Sequence, residues 1–342
     1  MQPGENYRKY IDAFEKQLEL VEVNHISTEP YCQRYLIHLL QHKKYYLAIY
    51  ADVLNKLIEH SPQKKENISL IDIGAGNGLL GIFAKYCGFK KVFINDIDEK
   101  FVNASKRLAE QLNLEIDGYI TGDISAVQTY FKNEIPDAMV GTDVIEHIYD
   151  LEIFYKTIRQ INPLTVSVFT TASNPANYFK VRELKKIQLK DELEGGTPDD
   201  HALFGESSLE PFLKIREQVI RGYSNGLSDA KILTLAKATR GMIVADIKLS
   251  VEQYGLTGKV PVPPSGTNTC NPLNGSWTER ILSFDTYISL YNTAGFTCKF
   301  YAGFYNDHEY GIMNFVKKLL NVGVYTFGKK FSPYIVIVGT KK

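Results

Sequence analysis

Cysteine is scarce and scattered: Cys32, Cys87, Cys270 and Cys298 are four in 342 residues, with no C-x-x-C pair among them. That argues against a disulfide framework and a structural zinc site. An excess of charge of one sign is also missing, since 39 Lys+Arg balance 39 Asp+Glu. Without a broad positive field the chain is not expected to recruit a polyanion, so nucleic acid is demoted as a partner. No apolar run approaches the ~20 residues that cross a bilayer, and the opening stretch Met1 to Asn6 has no apolar signal region. The expected location is the cytoplasm. Internal repeats and low-complexity tracts are absent as well. Tryptophan is reduced to Trp277 alone.

What the chain does have is an ordinary apolar content of 44% and a surplus of rings, 22 Tyr and 18 Phe. Most of these belong in a core, and some suit a ligand pocket. Residues 1–66 read as helical, with three- and four-residue apolar spacing running from Tyr35 to Ile58 and a break at Ser61-Pro62. From Ile68 the pattern becomes short strands alternating with helices: strands at 68–73, 92–95, 118–121, 138–142 and 165–171, and helices at 79–87, 99–112 and 151–161. Such a rhythm requires crossovers, hence an α/β fold with a mostly parallel sheet covered on both faces. The rhythm stops after Ser173. Residues 174–282 read as a mostly helical insertion, with helical patterns at 180–194, 209–221 and 229–254. Residues 283–342 return to the sheet with a helix at 284–294 and strands at 297–301 and 334–338.

Three glycines in Leu70-Ile-Asp-Ile-Gly-Ala-Gly-Asn-Gly78 follow the first strand and precede a helix. Glycines there let the backbone approach a ligand, and the helix start offers free N–H groups to an anionic group. Asp96 follows the second strand, about 20 residues on, where a carboxylate can accept from both ribose hydroxyls. The pattern points to a nucleoside-containing cofactor. Gly76-Asn-Gly-Leu-Leu-Gly81 also spells a dinucleotide fingerprint, so NAD is an alternative. Against it stand Asp72 inside the first strand, Gly122-Asp-Ile124 after the third, and Thr142-Asp-Val-Ile-Glu-His147 after the fourth.

This set, D-x-G-x-G-x-G, an acid after strand two, G-D-I after strand three and D-V-I-E-H after strand four, resembles the class I S-adenosylmethionine-dependent methyltransferases. It is most similar to the branch that holds the ubiquinone-biosynthesis and small-molecule O-methyltransferases, over about residues 67–172 and again near 277–296 and 332–342. The resemblance implies a Rossmann-like seven-stranded sheet with one antiparallel strand, with 67–173 and 283–342 as the cofactor-binding domain, 1–66 as an N-terminal helical segment and 174–282 as a substrate or cap region. It implies that Asp72, Gly74, Gly76 and Gly78 hold the methionine end of S-adenosyl-L-methionine, Asp96 the ribose, Asp123 and Ile124 the adenine, that Ile97 also binds the cofactor, and that Asp143 lines the methyl-transfer face. Asp123 can equally be a helix N-cap.

Methyl transfer from a sulfonium rests mainly on holding the acceptor in line, and a hydroxyl acceptor also needs a base. His147 and His201 are the candidates. Some relatives of the resembling branch use a carboxylate-x-x-Glu-His run to bind a divalent metal. Here Asp143 stands where they have Glu, so a metal stays an open alternative. His147 can instead stabilise a turn, and His201 can be a surface-loop residue. His42, Tyr45 and Tyr46 share a helix that could close over the cofactor. Asn174-Pro-Ala-Asn-Tyr178 lies too late in the chain to act as the N-P-P-Y motif of amino-methyltransferases. An amphipathic segment with two lysines, 312–322, either packs on the sheet or meets a membrane or partner chain. The expected function is O-methylation of a small-molecule acceptor. The alternatives are an NAD-dependent oxidoreductase, a protein or nucleic-acid methyltransferase, and an inactive cofactor-binding scaffold. Oligomeric state is not legible in the sequence.

Overall fold

The computed structural model describes residues 6–132, 135–196, 210–224, 226–264, 266–308 and 311–342. Seven strands, β1 (Ser69–Ile73), β2 (Lys91–Asp96), β3 (Gly118–Thr121), β4 (Ala138–Thr142), β5 (Val166–Thr171), β6 (Phe296–Ala302) and β7 (Ile335–Lys341), form one sheet. Their order is β3-β2-β1-β4-β5-β7-β6. The first five pair in parallel, and β7 is antiparallel to both β5 and β6. The expected mostly parallel sheet with a single antiparallel strand is what the chain builds.

The strands alternate between two packed faces, as a period of two demands. Leu70, Val92, Ile94, Val140, Val168 and Val336 join a core with the N-terminal helices and with α5 (Leu79–Tyr86) and α6 (Glu99–Gln111). Phe93 turns the other way onto Tyr130 and Phe131 at the end of α7 (Ile124–Tyr130), and Phe169 onto Phe154 of α8 (Leu151–Ile161). The N-terminal helices are α1 (Ile11–Leu18), α2 (Val23–Ile26), α3 (Pro30–Gln41) and α4 (Lys43–His60). The apolar period that runs unbroken from Tyr35 to Ile58 is thus cut at His42, whose backbone leaves the helical region at φ −112°, ψ 26°. The break separates an amphipathic helix from one whose middle, Leu47 to Ala51, is buried all round.

By backbone contacts the chain forms two compact units, one of Met1–Ile145, Asp150–Asn177 and Ser283–Lys342, the other of Glu146–Tyr149 and Tyr178–Leu282. The second unit consists of α9 (Tyr178–Leu193), α10 (Phe212–Tyr223), α11 (Asp229–Ala238) and α12 (Val244–Thr257). Its core gathers Ile220, Ile232, Leu235, Ile247 and Val251. The helical pattern expected over 229–254 is two helices, because Gly241 takes φ +78° against the Trp277 ring. Arg216 is fully buried there, donating to the Ala236 carbonyl at 2.8 Å and pairing with Glu192.

The first unit also carries α13 (Phe284–Thr293) and α14 (Ile312–Phe327). No residue of α14 is buried. Ile312, Phe315, Leu319 and Val322 stay exposed, while Leu320 and Val324 are half-buried.

Candidate functional site

The chain winds from β1 outward to β3 and resumes on the other side of β1 with β4. Ligands of open α/β sheets bind at such a reversal, beyond the carboxyl ends of the strands. The loops after β1 and β4 meet there: a Cβ on Gly74 would lie 2.2 Å from Cγ2 of Val144. Gly74, Gly76 and Gly78 have φ of 62°, 54° and 73°, a left-handed run that side chains resist. A Cβ on Gly76 would strike the Tyr35 ring at 2.8 Å, and one on Gly78 would strike Ser105 at 2.5 Å. The loop is thus a cradle lined by backbone, opening onto the start of α5.

Two carboxylates hold the cradle in shape. Asp72, inside β1, is 1% exposed, and its Oδ2 accepts the Gly81 N–H at 2.8 Å, fastening α5 to β1. Burial pushes its carboxyl up to about 8, with the Asp96 charge adding to the rise. Asp96, at the end of β2, accepts the Gly76 N–H at 2.8 Å and the Asp98 N–H at 3.0 Å. Burial raises it to about 6 against the pull of those N–H groups. Ile97 beside it is 62% exposed, an apolar surface free to cover a ring. Asn95 ties this edge to the next strand by donating to the carbonyls of Ile120 and Gly122. Asp123 caps α7, accepting from the N–H and hydroxyl of Ser125 at 2.9 and 2.6 Å, bonds that hold it below the usual carboxylate range. Ile124 is the first residue of that helix.

Asp143, just past β4, is exposed and has φ +51°, a conformation rare outside glycine. Beside it lie Tyr45 and Tyr46, expected from the sequence to close over the cofactor, with Tyr35 and His38, which sequence reasoning did not single out. Tyr35 of α3 sits over Gly76 and packs edge-on against Phe101. Tyr45 donates to the Phe304 carbonyl at 3.2 Å, and Tyr46 shares a 2.9 Å hydrogen bond with Nε2 of His38. Burial first and the Asp143 charge second push the Tyr46 hydroxyl up to about 12, and both raise Tyr35 and Tyr45 as well. His38 is held below its usual range by burial and by His42, whose ring it meets edge-on at 4.9 Å. The i, i+4 pair Tyr31 and Tyr35, followed by His38 and His42, was the available signal.

His147 belongs to the second unit, where its Nδ1 is 2.9 Å from the Trp277 carbonyl. A carbonyl only accepts, so Nδ1 carries the hydrogen and Nε2 is the basic nitrogen. His201 lies outside the described residues. Among the described residues no group of three or more His, Cys, Asp and Glu could hold a metal ion.

Backbone cradle, helix start, two buried carboxylates and an exposed apolar side chain fit a cationic nucleoside that carries an amino-acid tail. The comparisons agree with that chemistry. Residues 52–150 match the family model of ribosomal protein L11 methyltransferase (PrmA). The L11 methyltransferase of Aquifex aeolicus is 27% identical over 134 residues, 39% of this chain and 46% of that protein. The mitochondrial ubiquinone biosynthesis O-methyltransferase of Bos taurus is 26% identical over 126 residues, 36% of this chain and 34% of that protein. The chain thus spans less than half the length of these curated relatives. A solved S-adenosylmethionine-dependent methyltransferase from Mesorhizobium loti is 12% identical, covering 87% of this chain and 98% of that one at a TM-score of 0.41. The family model's match runs through β1 to β4, the strands that build the cradle, and over that stretch the chain is similar to the class I S-adenosylmethionine-dependent methyltransferases.

Proposed function

We propose that the protein transfers a methyl group to a hydroxyl of a small-molecule acceptor. The observation behind this reading is the cluster of Tyr35, which sits over Gly76, with Tyr45 and Tyr46 near the Asp143 charge and His38 bonded to Tyr46, an aromatic wall suited to a compact acceptor. When bound, S-adenosylmethionine supplies a methyl group on a positively charged sulfur. The N–H groups at the start of α5 would receive its carboxylate, Asp96 its ribose hydroxyls, and Ile97 with the start of α7 its adenine. Asp72 would act from below by keeping α5 against β1. Asp143 would line the face where the acceptor stands. His147, with Nε2 basic, would accept the hydroxyl proton as the oxygen–carbon bond forms. Residues 174–282 would select the acceptor.

A protein acceptor is the second reading, favoured by the names of the family model and of the Aquifex relative. Those matches stop at residue 150 for the family model, inside the part that serves the cofactor whatever the acceptor. Incubation with methyl-labelled S-adenosylmethionine, once with a panel of phenols and sugars and once with ribosomal proteins, separates the two. Label in an extracted small molecule supports the proposal, and label only in precipitated protein overturns it. Replacing His147 by Gln should lower kcat by roughly a hundredfold or more, with cofactor affinity unchanged. An unaltered kcat would remove His147 from the scheme.

A further inference from the structure

The helix α14 keeps its largest apolar side chains exposed. Ile312, Phe315, Leu319 and Val322 lie on one face at three- and four-residue spacing, and they are 79%, 63%, 55% and 62% exposed. The opposite face holds Asn314, Lys317, Leu320, Asn321 and Val324, each half-buried, so it is mixed where an amphipathic helix keeps its apolar stripe. Asn321 anchors that face to the protein. Its amide donates to the Tyr305 carbonyl at 3.1 Å, and its oxygen accepts the Tyr305 N–H at 2.7 Å. Phe331 packs beneath Gly323 and stacks on Phe327 at 4.9 Å between ring centres. The helix is therefore fixed with its apolar face outward. Tyr325 and Phe327, 94% and 58% exposed, add rings at its carboxyl end.

The segment that carries α14 is basic. From Gly311 to Lys342 there are six lysines and no Asp, Glu or Arg, which leaves 33 Lys+Arg against 39 Asp+Glu in the rest of the chain. Lys318 borders the apolar face and Lys330 follows the helix, both exposed.

We propose that α14 lies in the surface of an anionic phospholipid bilayer, with Phe315, Leu319 and Val322 among the acyl chains and Lys318 and Lys330 at the headgroups. Sixteen residues make a helix of about 24 Å, too short to cross ~30 Å of hydrocarbon, and among the described residues no helix is long and apolar enough to do so. Lying flat is the arrangement its length permits. A second copy is the poorer occupant, because a two-fold contact sets the same patch against itself and residues 311–342 hold no Asp or Glu to meet its lysines. Asn321 also links the surface to the aromatic cluster, since Tyr305 adjoins Phe304, whose carbonyl accepts from Tyr45.

The test is flotation of the whole protein with vesicles of phosphatidylcholine alone and of phosphatidylcholine with phosphatidylglycerol. Binding is expected to the anionic vesicles only, to weaken in high salt, and to be lost in Phe315→Glu/Leu319→Glu. Lys318→Gln and Lys330→Gln should each weaken it roughly fivefold. All four side chains point outward, so circular dichroism and cofactor titration should match wild type, which distinguishes loss of the surface from loss of the fold. Absence of binding to anionic vesicles overturns the proposal. So does a dimer in sedimentation that Phe315→Glu/Leu319→Glu dissociates, which would make the occupant a second copy.

Discussion

Asp72 and Asp96 are carboxyls that burial turns into weak acids, and each has a consequence that can be measured. For Asp72 the folded value of about 8 lies above the ordinary 3.8. A raised carboxyl contributes its stability in full below pH 3.8 and loses it as the pH climbs through about 8. Asp72→Asn keeps an acceptor for Gly81 and cannot ionise, so its melting temperature should gain on wild type from pH 5 to pH 9. A constant difference across that range would show that Asp72 is already ionised in the fold. For Asp96 the folded value is about 6, and ribose hydroxyls donate best to the ionised form. Affinity for S-adenosylhomocysteine should therefore be weakest below pH 6 and level off above it. Asp96→Asn should lower affinity at least tenfold, roughly the worth of one hydrogen bond to a charged group, as read by calorimetry.

At the scale of elements, the decisive contact is α3 against the glycine loop. Gly76 is constrained twice, by φ +54° and by the Tyr35 ring 2.8 Å from where a Cβ would stand. Gly76→Ala should cost on the order of 1–3 kcal/mol and weaken cofactor binding. Adding Tyr35→Ala should recover the steric share and leave the backbone share, so chemical denaturation of the single and double variants tests which constraint dominates. Periodicity showed that the N-terminal segment is helical, yet it ran Tyr35 to Ile58 together. The break at His42 depends on which turns are surrounded by core, a property of the packed chain. The same limit applies to α14. An apolar stripe says that a helix has a preferred face, and only packing decides whether that face turns toward the sheet or away from it.

At the scale of the molecule, the second unit can be followed alone, because Trp277 is the single tryptophan and lies within it. Its indole is 5% exposed, donates to the Tyr149 carbonyl at 3.1 Å and has the Arg280 guanidinium 4.1 Å from the ring centre. Arg216→Ala would strand the buried Glu192 carboxylate, which otherwise also accepts from Thr269 at 2.7 Å. Removing one partner of a buried pair costs about 3–5 kcal/mol. The Trp277 fluorescence transition in guanidinium should shift to lower denaturant. Retained cofactor binding in that variant would show that the first unit stands without the second, and an unshifted transition would mean that water reaches Glu192.

The strands, their crossovers, the three glycines and the acids after each strand were determined by sequence alone, because strand period, glycine φ and the reach of a carboxylate are local. The resemblance to methyltransferases followed from those motifs in order. Tertiary structure decided what has no local signature. It set Tyr35 over Gly76, buried Asp72 against α5 and gave Asp143 its left-handed turn beside the tyrosines. It also turned the apolar face of α14 outward. Each of these depends on which distant segment arrives at a given surface, and sequence spacing carries no information about arrivals.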